Sequence, residues 1–456
     1  MVSKNATFLS ITDLHFNPCA DPALTARLAD AAPDEWAEIF ESSTQKELVG
    51  WGKDTNYPLL NSLFKDVSAF SDADFILFSG DFLGHNLRER FQSATGDKSD
   101  AGFSRFIGKT LEFLAAAFQK AFPGKVIFPA MGNDDNICGD YEITPLGEFL
   151  SRFTDAWQPV MNRLDGDNTF AQTFPVGGYY TALLPGESHQ RLIVLNNIFM
   201  ARNYRDACGS VPGDPGEAQL NWLEWVLYLS RTNRESVWMV FHEPLGINMY
   251  QAIHGKNPHC ASNVSTFIKS RYGDRLRTIL LKSSDIIRVV FCGHTHMDEF
   301  RILHDGFNTP RIAMHITPSV SPIFGNNPAY QVFTLGDDYG PVDYSTRMID
   351  LSLTRNPAEA GWVESYRFSE AYGQTNLDPV SLSGVGDAVA DNTDIRQRYI
   401  EYFNVCQSTY SMINSDNWRA FYDCINDNTR DAFVKEYCPA HQSSLAGRSL
   451  HQKGTP

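Results

Sequence analysis

Short apolar runs alternate with longer amphipathic stretches over the first two thirds of the chain. Thr7–Ile11, Phe75–Phe78, Val126–Pro129, Arg191–Leu195, Val237–Phe241 and Ile287–Cys292 read as strands. Between them Phe103–Phe122, Leu146–Met161 and Gln219–Ser230 place apolar residues at helical spacing, with their phenylalanines and leucines as core faces. Strands alternating with helices predict an α/β core, a sheet system covered by helices. The pattern then changes. Gln331–Leu335, Val342–Leu351 and Trp362–Phe368 predict longer strands joined by turns, hence antiparallel pairing at the end of the sheet system. Gly373–Asp391, rich in Ser, Gly and Asp, predicts a hinge region. Beyond it Asn392–Ile413, Asp416–Ile425 and Asn428–Tyr437 predict helices. The expected organisation is a catalytic domain over residues 1–372, a small helical domain over 373–440 and a flexible polar tail over 441–456. There is no internal repeat.

Charge narrows the function. The 456 residues carry 54 acidic and 38 basic side chains, a net charge of −16, without a Lys/Arg run that reverses it locally. A broad nucleic-acid groove or an anionic membrane surface is therefore not expected as partner. No stretch is long and apolar enough to span a bilayer. Eight cysteines are present, none in a C-x-x-C pair. Three (Cys406, Cys424 and Cys438) fall near the C-terminus, and Cys19, Cys138, Cys208 and Cys260 lie in loop-like sequence. Disulfide staples fit this better than a metal cluster, which favours a secreted, periplasmic or lumenal compartment with any signal peptide outside this numbering.

The chemistry gathers at strand ends. Asp13-Leu14-His15 follows the first run, Gly80-Asp81 the second, and Gly132-Asn133-Asp134-Asp135 the third; Phe241-His242-Glu243-Pro244 and Gly293-His294-Thr295-His296 follow two later ones. Asp-x-His after a strand is expected to point both side chains to one side of an extended backbone. Glycine before Asp81 lets backbones approach closely. Two imidazoles two residues apart after a buried strand are seldom placed there for packing, because each needs a polar partner. Asp13, His15, Asp81, Asn133, His242, His294 and His296 thus form seven candidate ligands of mixed carboxylate, imidazole and amide type. That is too many for one tetrahedral ion and suits a pair of ions sharing a carboxylate. His254, His259 and His304 read as ordinary loop or surface residues, and His315 as a residue able to line the pocket.

These residues in this order resemble the calcineurin-like metallophosphoesterase superfamily. The stretches His315–Pro322, Asn326–Tyr330, Tyr366–Gly373 and Asn203–Gly209 resemble, within it, the acid sphingomyelinase-like phosphodiesterases. The resemblance implies a four-layer sandwich, two mixed β-sheets flanked by helices, with metal ions at the strand ends. It implies Asp13, His15, Asp81 and His296 on one ion and Asp81, Asn133, His242 and His294 on the other. It also implies zinc, which the His-rich set suits. The implied activity is hydrolysis of phosphodiester bonds by a metal-bridging hydroxide.

One position departs from that pattern. The superfamily usually carries a histidine after the metal-binding asparagine to protonate the leaving group; this chain has Asp134. His85, four residues beyond Asp81 and in a spacing the sphingomyelinase-like proteins share, is the expected substitute, with Asp134 orienting a neighbour or the substrate. No lipid-extracting domain precedes the first motif, so the expected substrates are soluble phosphate esters of nucleotide or phosphocholine type. Two alternatives stand beside this reading: a phosphomonoesterase or polyphosphatase, and a protein that binds metal and phosphate without turnover.

Overall fold

The computed structural model describes residues 6–248 and 265–407, apart from 162, 165–166, 187–188, 207–208 and 210–212, together with 409, 413–415, 417, 418 and 422. The expected helices Asp416–Ile425 and Asn428–Tyr437 and the tail lie almost wholly outside these residues, as do Cys208, Cys260, Cys424, Cys438, His254 and His259.

In chain order the strands are β1 Thr7–Ile11, β2 Phe75–Phe78, β3 Val126–Pro129, β4 Tyr180–Leu183, β5 Gln190–Val194, β6 Ser236–Val240, β7 Ile287–Cys292, β8 Glu299–His304, β9 Pro310–Ile316, β10 Ala329–Leu335, β11 Pro341–Met348 and β12 Val363–Arg367. They form two six-stranded sheets, ordered β12-β11-β10-β1-β2-β3 and β4-β5-β6-β7-β9-β8. Both sheets are mixed. β1, β2 and β3 are parallel and β10 to β12 antiparallel in the first; β5, β6, β7 and β9 are parallel with antiparallel edges in the second.

Period-two alternation explains the layering. In β7, Val289 and Phe291 face the first sheet, while Val290 and Cys292 pack under the helices Pro215–Asn233 and Ser270–Lys282. Both faces are covered, which is why the central strands read as continuous apolar runs. The sheets meet through aromatic rings: Phe8 lies 4.9 Å from Phe75 and from Phe333, 5.3 Å from Trp238 and 5.5 Å from Phe291. The helix Asp100–Ala121 turns Phe103, Phe106, Phe113 and Phe118 into the same core, the face its spacing predicts. This is the expected four-layer α/β sandwich. No helix among the described residues is long and apolar enough to cross a membrane.

Several sequence expectations need correction. Pro379–Asp391, in the expected hinge, is a helix: Asp378 caps it by accepting from Ser381 N–H, Pro379 opens it, and Leu382, Val385 and Val389 are buried in the main core. Small and acidic residues mark its start and exposed face, not a linker. The next helix runs only over Thr393–Phe403, well short of Ile413. β8 and β9 escaped the apolar-run criterion because β8 carries charge inward. Arg301, fully buried, donates to Glu299 at 2.6 Å and to the Leu245 carbonyl at 2.6 Å. His304 closes that strand and is buried, not on the surface. His315 lies in the inter-sheet core, stacked 5.7 Å from Phe291, with burial holding its pKa down at about 3. Among the described cysteines Cys138 is disulfide-bonded, whereas Cys19, Cys292 and Cys406 are free thiols.

Candidate functional site

The carboxyl ends of β1, β2, β3, β6 and β7 deliver Asp13 and His15, Asp81, Asn133, His242, and His294 and His296 to one place. Open parallel sheets bind ligands at such strand ends. All nine residues singled out from the sequence come together there, His85 and Asp134 included.

The backbone there is not extended. Asp13 (φ 48°), His15 (φ 42°), Asp81 (φ 59°), His294 (φ 70°) and His296 (φ 63°) all sit in the left-handed region. The expectation of an extended Asp-x-His pair is therefore wrong, and for a structural reason. After Ile11 the chain hands its amides to the neighbouring loop: Asp13 N–H donates to Gly80 O at 2.9 Å and His15 N–H to Asp81 O at 3.0 Å. Each such residue costs about 1–2 kcal/mol. Strain of this kind persists only where its surroundings enforce it, and it clusters at functional sites. Two glycines make the packing possible. A Cβ on Gly132 would lie 2.1 Å from Asp81 Oδ1, and one on Gly293 2.5 Å from Asp13 Oδ2.

Surrounding hydrogen bonds fix which atoms face inward. His15 Nδ1–H donates to the Leu83 carbonyl at 3.2 Å and His242 Nδ1–H to the Ser79 carbonyl at 2.8 Å. A carbonyl only accepts, so each ring, when neutral, is left with Nε2 as a lone pair. Asn133 spends both amide hydrogens on Asp134 (3.2 Å) and Asp140 (2.9 Å), which turns its Oδ1 inward. The inward atoms then crowd one another. His242 Nε2 is 3.1 Å from both Asn133 Oδ1 and Asp81 Oδ2, and His294 Nδ1 is 3.0 Å from Asn133 Oδ1. On the other side His15 Nε2 is 3.2 Å from His296 Nε2 and 3.4 Å from Asp81 Oδ2. Asp13 Oδ1 is buried without a hydrogen bond, 3.2 Å from His296 Nε2. Acceptors facing acceptors in a dry site call for cations.

Electrostatics agree. Among the described residues the basic groups paired with Asp13 and Asp81 are histidines alone. Burial disfavours charge on His15 and His242, yet the carboxylates, Asp81 foremost, outweigh it and raise both to about 10, so a proton on Nε2 and a metal cation compete for the same place. The potential ligand groups divide into Asp13, His15 and His296 on one side and Asp81, His242 and His294 on the other, with a third group of His15, His85 and Asp134.

His85 borders the cluster. Its ring stacks on His15 at 4.4 Å, its Nδ1–H donates to Asp54 at 2.7 Å, and its Nε2 is 3.3 Å from Asp134 Oδ2. Burial opposes its charged form, but the Asp54 hydrogen bond and Asp134 more than offset this, so its pKa is raised. Phe324, 46% exposed, lies edge-on to His296 at 4.5 Å and forms a wall of the site.

Sequence reading missed the braces. Asp54 sits in a loop with no motif around it. Ser319 Oγ–H donates to the Asp13 carbonyl at 2.9 Å and Ser319 N–H to the His296 carbonyl at 3.2 Å. The Asp298 carboxylate ties Thr346, Tyr366 and Gln331 to the β7–β8 loop. Asp135 is the strongest brace. It accepts from the backbone N–H groups of Asp81, Phe82, Leu83 and Gly132 at 2.9, 2.8, 3.2 and 2.9 Å. Burial and Asp81 push it up to about 7, yet all four lone-pair directions are taken by donors, so the site is built for the charged form. Asp135→Ala is expected to lower stability by about 3–5 kcal/mol in urea unfolding. A loss below about 1 kcal/mol would show that water replaces the carboxylate.

A family model described as calcineurin-like phosphoesterase matches residues 6–298. Among curated proteins the chain is similar to the cyclic GMP-AMP phosphodiesterase SMPDL3A of Rattus norvegicus, 26% identical over 87% of this chain and 84% of that protein. It is similar to the acid sphingomyelinase-like phosphodiesterase 3b of Homo sapiens, 26% identical over 88% of this chain and 83% of that protein. It is also similar to sphingomyelin phosphodiesterase B of Dictyostelium discoideum, 24% identical over 95% of this chain and 67% of that protein.

Proposed function

The chain belongs to the calcineurin-like phosphoesterase family, and from that premise we propose that it is a two-metal phosphodiesterase acting on soluble phosphate esters of nucleotide or phosphocholine type. Membership implies a dinuclear divalent metal centre, and the potential ligand groups fit one. The observation that carries the reading is the set of inward ligand atoms: Asp13 Oδ1 with no hydrogen bond, and His242 Nε2 at 3.1 Å from both Asn133 Oδ1 and Asp81 Oδ2, a cluster that needs shared protons or cations to hold it together. In this reading Asp13, His15, Asp81 and His296 hold one ion, and Asp81, Asn133, His242 and His294 the other. Imidazole-rich ligands favour zinc. Bound there, the ions supply Lewis acidity towards the phosphoryl oxygens and lower the pKa of water.

The chain's own residues do the rest. His85, raised in pKa and held at Nδ1 by Asp54, presents its Nε2 proton to the leaving oxygen. Asp134, 3.3 Å from that nitrogen, orients it. Water supplies the hydroxyl that ends on phosphorus and the proton that ends on the alcohol, so no co-reactant is needed. The names of the relatives favour a diester over a monoester. The Cys138 disulfide supports an oxidising compartment.

Metal analysis of the purified protein, paired with hydrolysis of bis(p-nitrophenyl) phosphate and p-nitrophenyl phosphate with and without chelator, tests this. Two ions per chain and chelator-sensitive cleavage, faster on the diester, are expected. Faster cleavage of the monoester would replace the reading with a phosphomonoesterase. Two ions with neither ester cleaved would favour a binding protein without turnover.

A further inference from the structure

A cavity of about 300 Å³ opens between residues 83–89, which follow Asp81, and residues 134–140, which follow Asn133. His85 and Asp134 both stand in its wall, so it borders the metal-ligand cluster. Its place relative to the imidazole is fixed. His85 Nδ1–H is committed to Asp54 at 2.7 Å, which leaves Nε2 as the nitrogen able to serve a substrate, and Nε2 faces Asp134 Oδ2 at 3.3 Å. An oxygen that takes its proton from Nε2 therefore departs beside this cavity.

Charge gives the cavity its character. Three carboxylates line it: Asp134, Asp140 and Glu89. The arginine in its wall, Arg88, is engaged elsewhere. It donates to Asp100 and to the Ile137 carbonyl, both at 2.6 Å, and lies 4.7 Å over the Phe103 ring. Asp140 accepts from Asn133 at 2.9 Å, and neither it nor Glu89 has an ion-pair partner among the described residues. Asp134 adds a vacant acceptor. Its side chain is only 7% exposed; Oδ2 accepts from Asn133 Nδ2–H at 3.2 Å, while Oδ1 accepts no hydrogen bond among the described residues. A buried carboxylate oxygen without a donor calls for one.

We propose that this cavity seats the leaving group and selects for positive charge on it, so that the preferred phosphodiesters release a compact protonated amino alcohol. The ammonium donates to Asp134 and is attracted by Asp140 and Glu89, whereas a leaving group carrying a further phosphate or carboxylate is repelled. The bond from phosphorus to the alcohol oxygen breaks, that oxygen takes the Nε2 proton, and the hydroxyl of water ends on phosphorus while its proton restores His85. The inference rests on the phosphodiesterase reading with His85 as acid, but the preference can also be read in binding, apart from turnover.

The test uses adenosine 5′-phosphate esterified with ethanolamine, propanol or hydroxypropanoate, leaving groups of similar size that are positive, neutral and negative. Products, kcat/KM and calorimetric affinity are read on metal-loaded wild type and on the double variant Glu89→Gln, Asp140→Asn. Both side chains are exposed, and asparagine keeps an oxygen for Asn133, so the variant is expected to fold. The esters differ in intrinsic reactivity, so their ratio is compared between proteins. Wild type should release the amino alcohol, and its ratio of ethanolamine to propanol ester should exceed that of the variant by about tenfold. An unchanged ratio, or release of adenosine with the amino alcohol still on phosphate, overturns the inference. If the double variant loses metal, Glu89→Gln alone decides by the same ratio. Bis(p-nitrophenyl) phosphate reports separately on the phosphodiesterase reading. If that ester resists a two-metal protein, that reading falls and the calorimetric ratio alone decides the cavity.

Discussion

Asp81→Asn is expected to leave the fold intact, remove at least one bound ion, and lower kcat/KM on bis(p-nitrophenyl) phosphate by on the order of a thousandfold or more. Loss of residues that merely orient a ligand already costs about 10–100-fold, and Asp81 stands between both ligand groups. Its Oδ2 faces His15 Nε2 at 3.4 Å and His242 Nε2 at 3.1 Å, while its Oδ1 accepts from Asp134 N–H at 2.8 Å. Asparagine can keep its carbonyl on the Asp134 amide and turn its NH₂ towards the two imidazole lone pairs. In chelator the Asp81 carboxylate keeps His15 and His242 charged, and asparagine reaches these contacts only once both rings give up a proton, so stability in chelator at neutral pH should fall. The melting temperature separates the two effects. Ions that bind only the folded state stabilise wild type by mass action, and chelator should lower its Tm. The variant's Tm should respond much less. Retention of two ions with activity within about tenfold of wild type would remove Asp81 as the shared ligand.

That residue was legible because its surroundings are short-range. Apolar runs of strand length gave β1, β3 and β7 to the residue, and each ligand lies within a few positions of a strand end. What the pattern could not carry was contact between distant segments. Asp135 looks like one acid among several until its carboxylate is seen holding the loops after β2 and β3 together. Asp54, His85 and Arg90 meet only because residues 52–56 run beside the loop after β1. A cavity lined by Lys46, Lys53, Arg90 and Arg355 is the same case: its charges come from segments far apart in the chain. Local composition misled where burial overrode it. The Pro379–Asp391 helix is rich in Ser, Gly and Asp, yet its Leu and Val residues dock on β8 and β9. The left-handed ligand residues carry only a weak sequence mark: aspartate and histidine enter that region more readily than most side chains, but composition does not say which of them do.

His85→Ala is expected to divide substrates by leaving group. A general acid contributes about 10²–10⁴-fold where the departing oxygen needs a proton. Turnover of dinucleotides, which release an alkoxide, should fall within that range. Bis(p-nitrophenyl) phosphate releases a stable phenolate, so its loss should stay within about tenfold. The environment of His85 explains why no ordinary loop histidine would behave this way. Asp54 takes its Nδ1 proton at 2.7 Å and is itself held by Arg90, so the ring cannot turn, and Nε2 stays on the side of Asp134 and the metal ligands. Asp54→Asn keeps an acceptor but removes its charge, and should give a smaller loss with the same dependence on leaving group. Because His85 also stacks on His15, a purely structural role would disturb the ligand and lower metal content. Unchanged metal content with a leaving-group-dependent loss identifies proton donation. Equal losses on both substrate types would exclude it, and then Asp134 becomes the group to test. Burial and Asp81 push Asp134 up to about 8, while His85 and His15 pull the other way. Bound cations add to that downward pull, so the imidazole between two carboxylates remains the better proton donor at neutral pH.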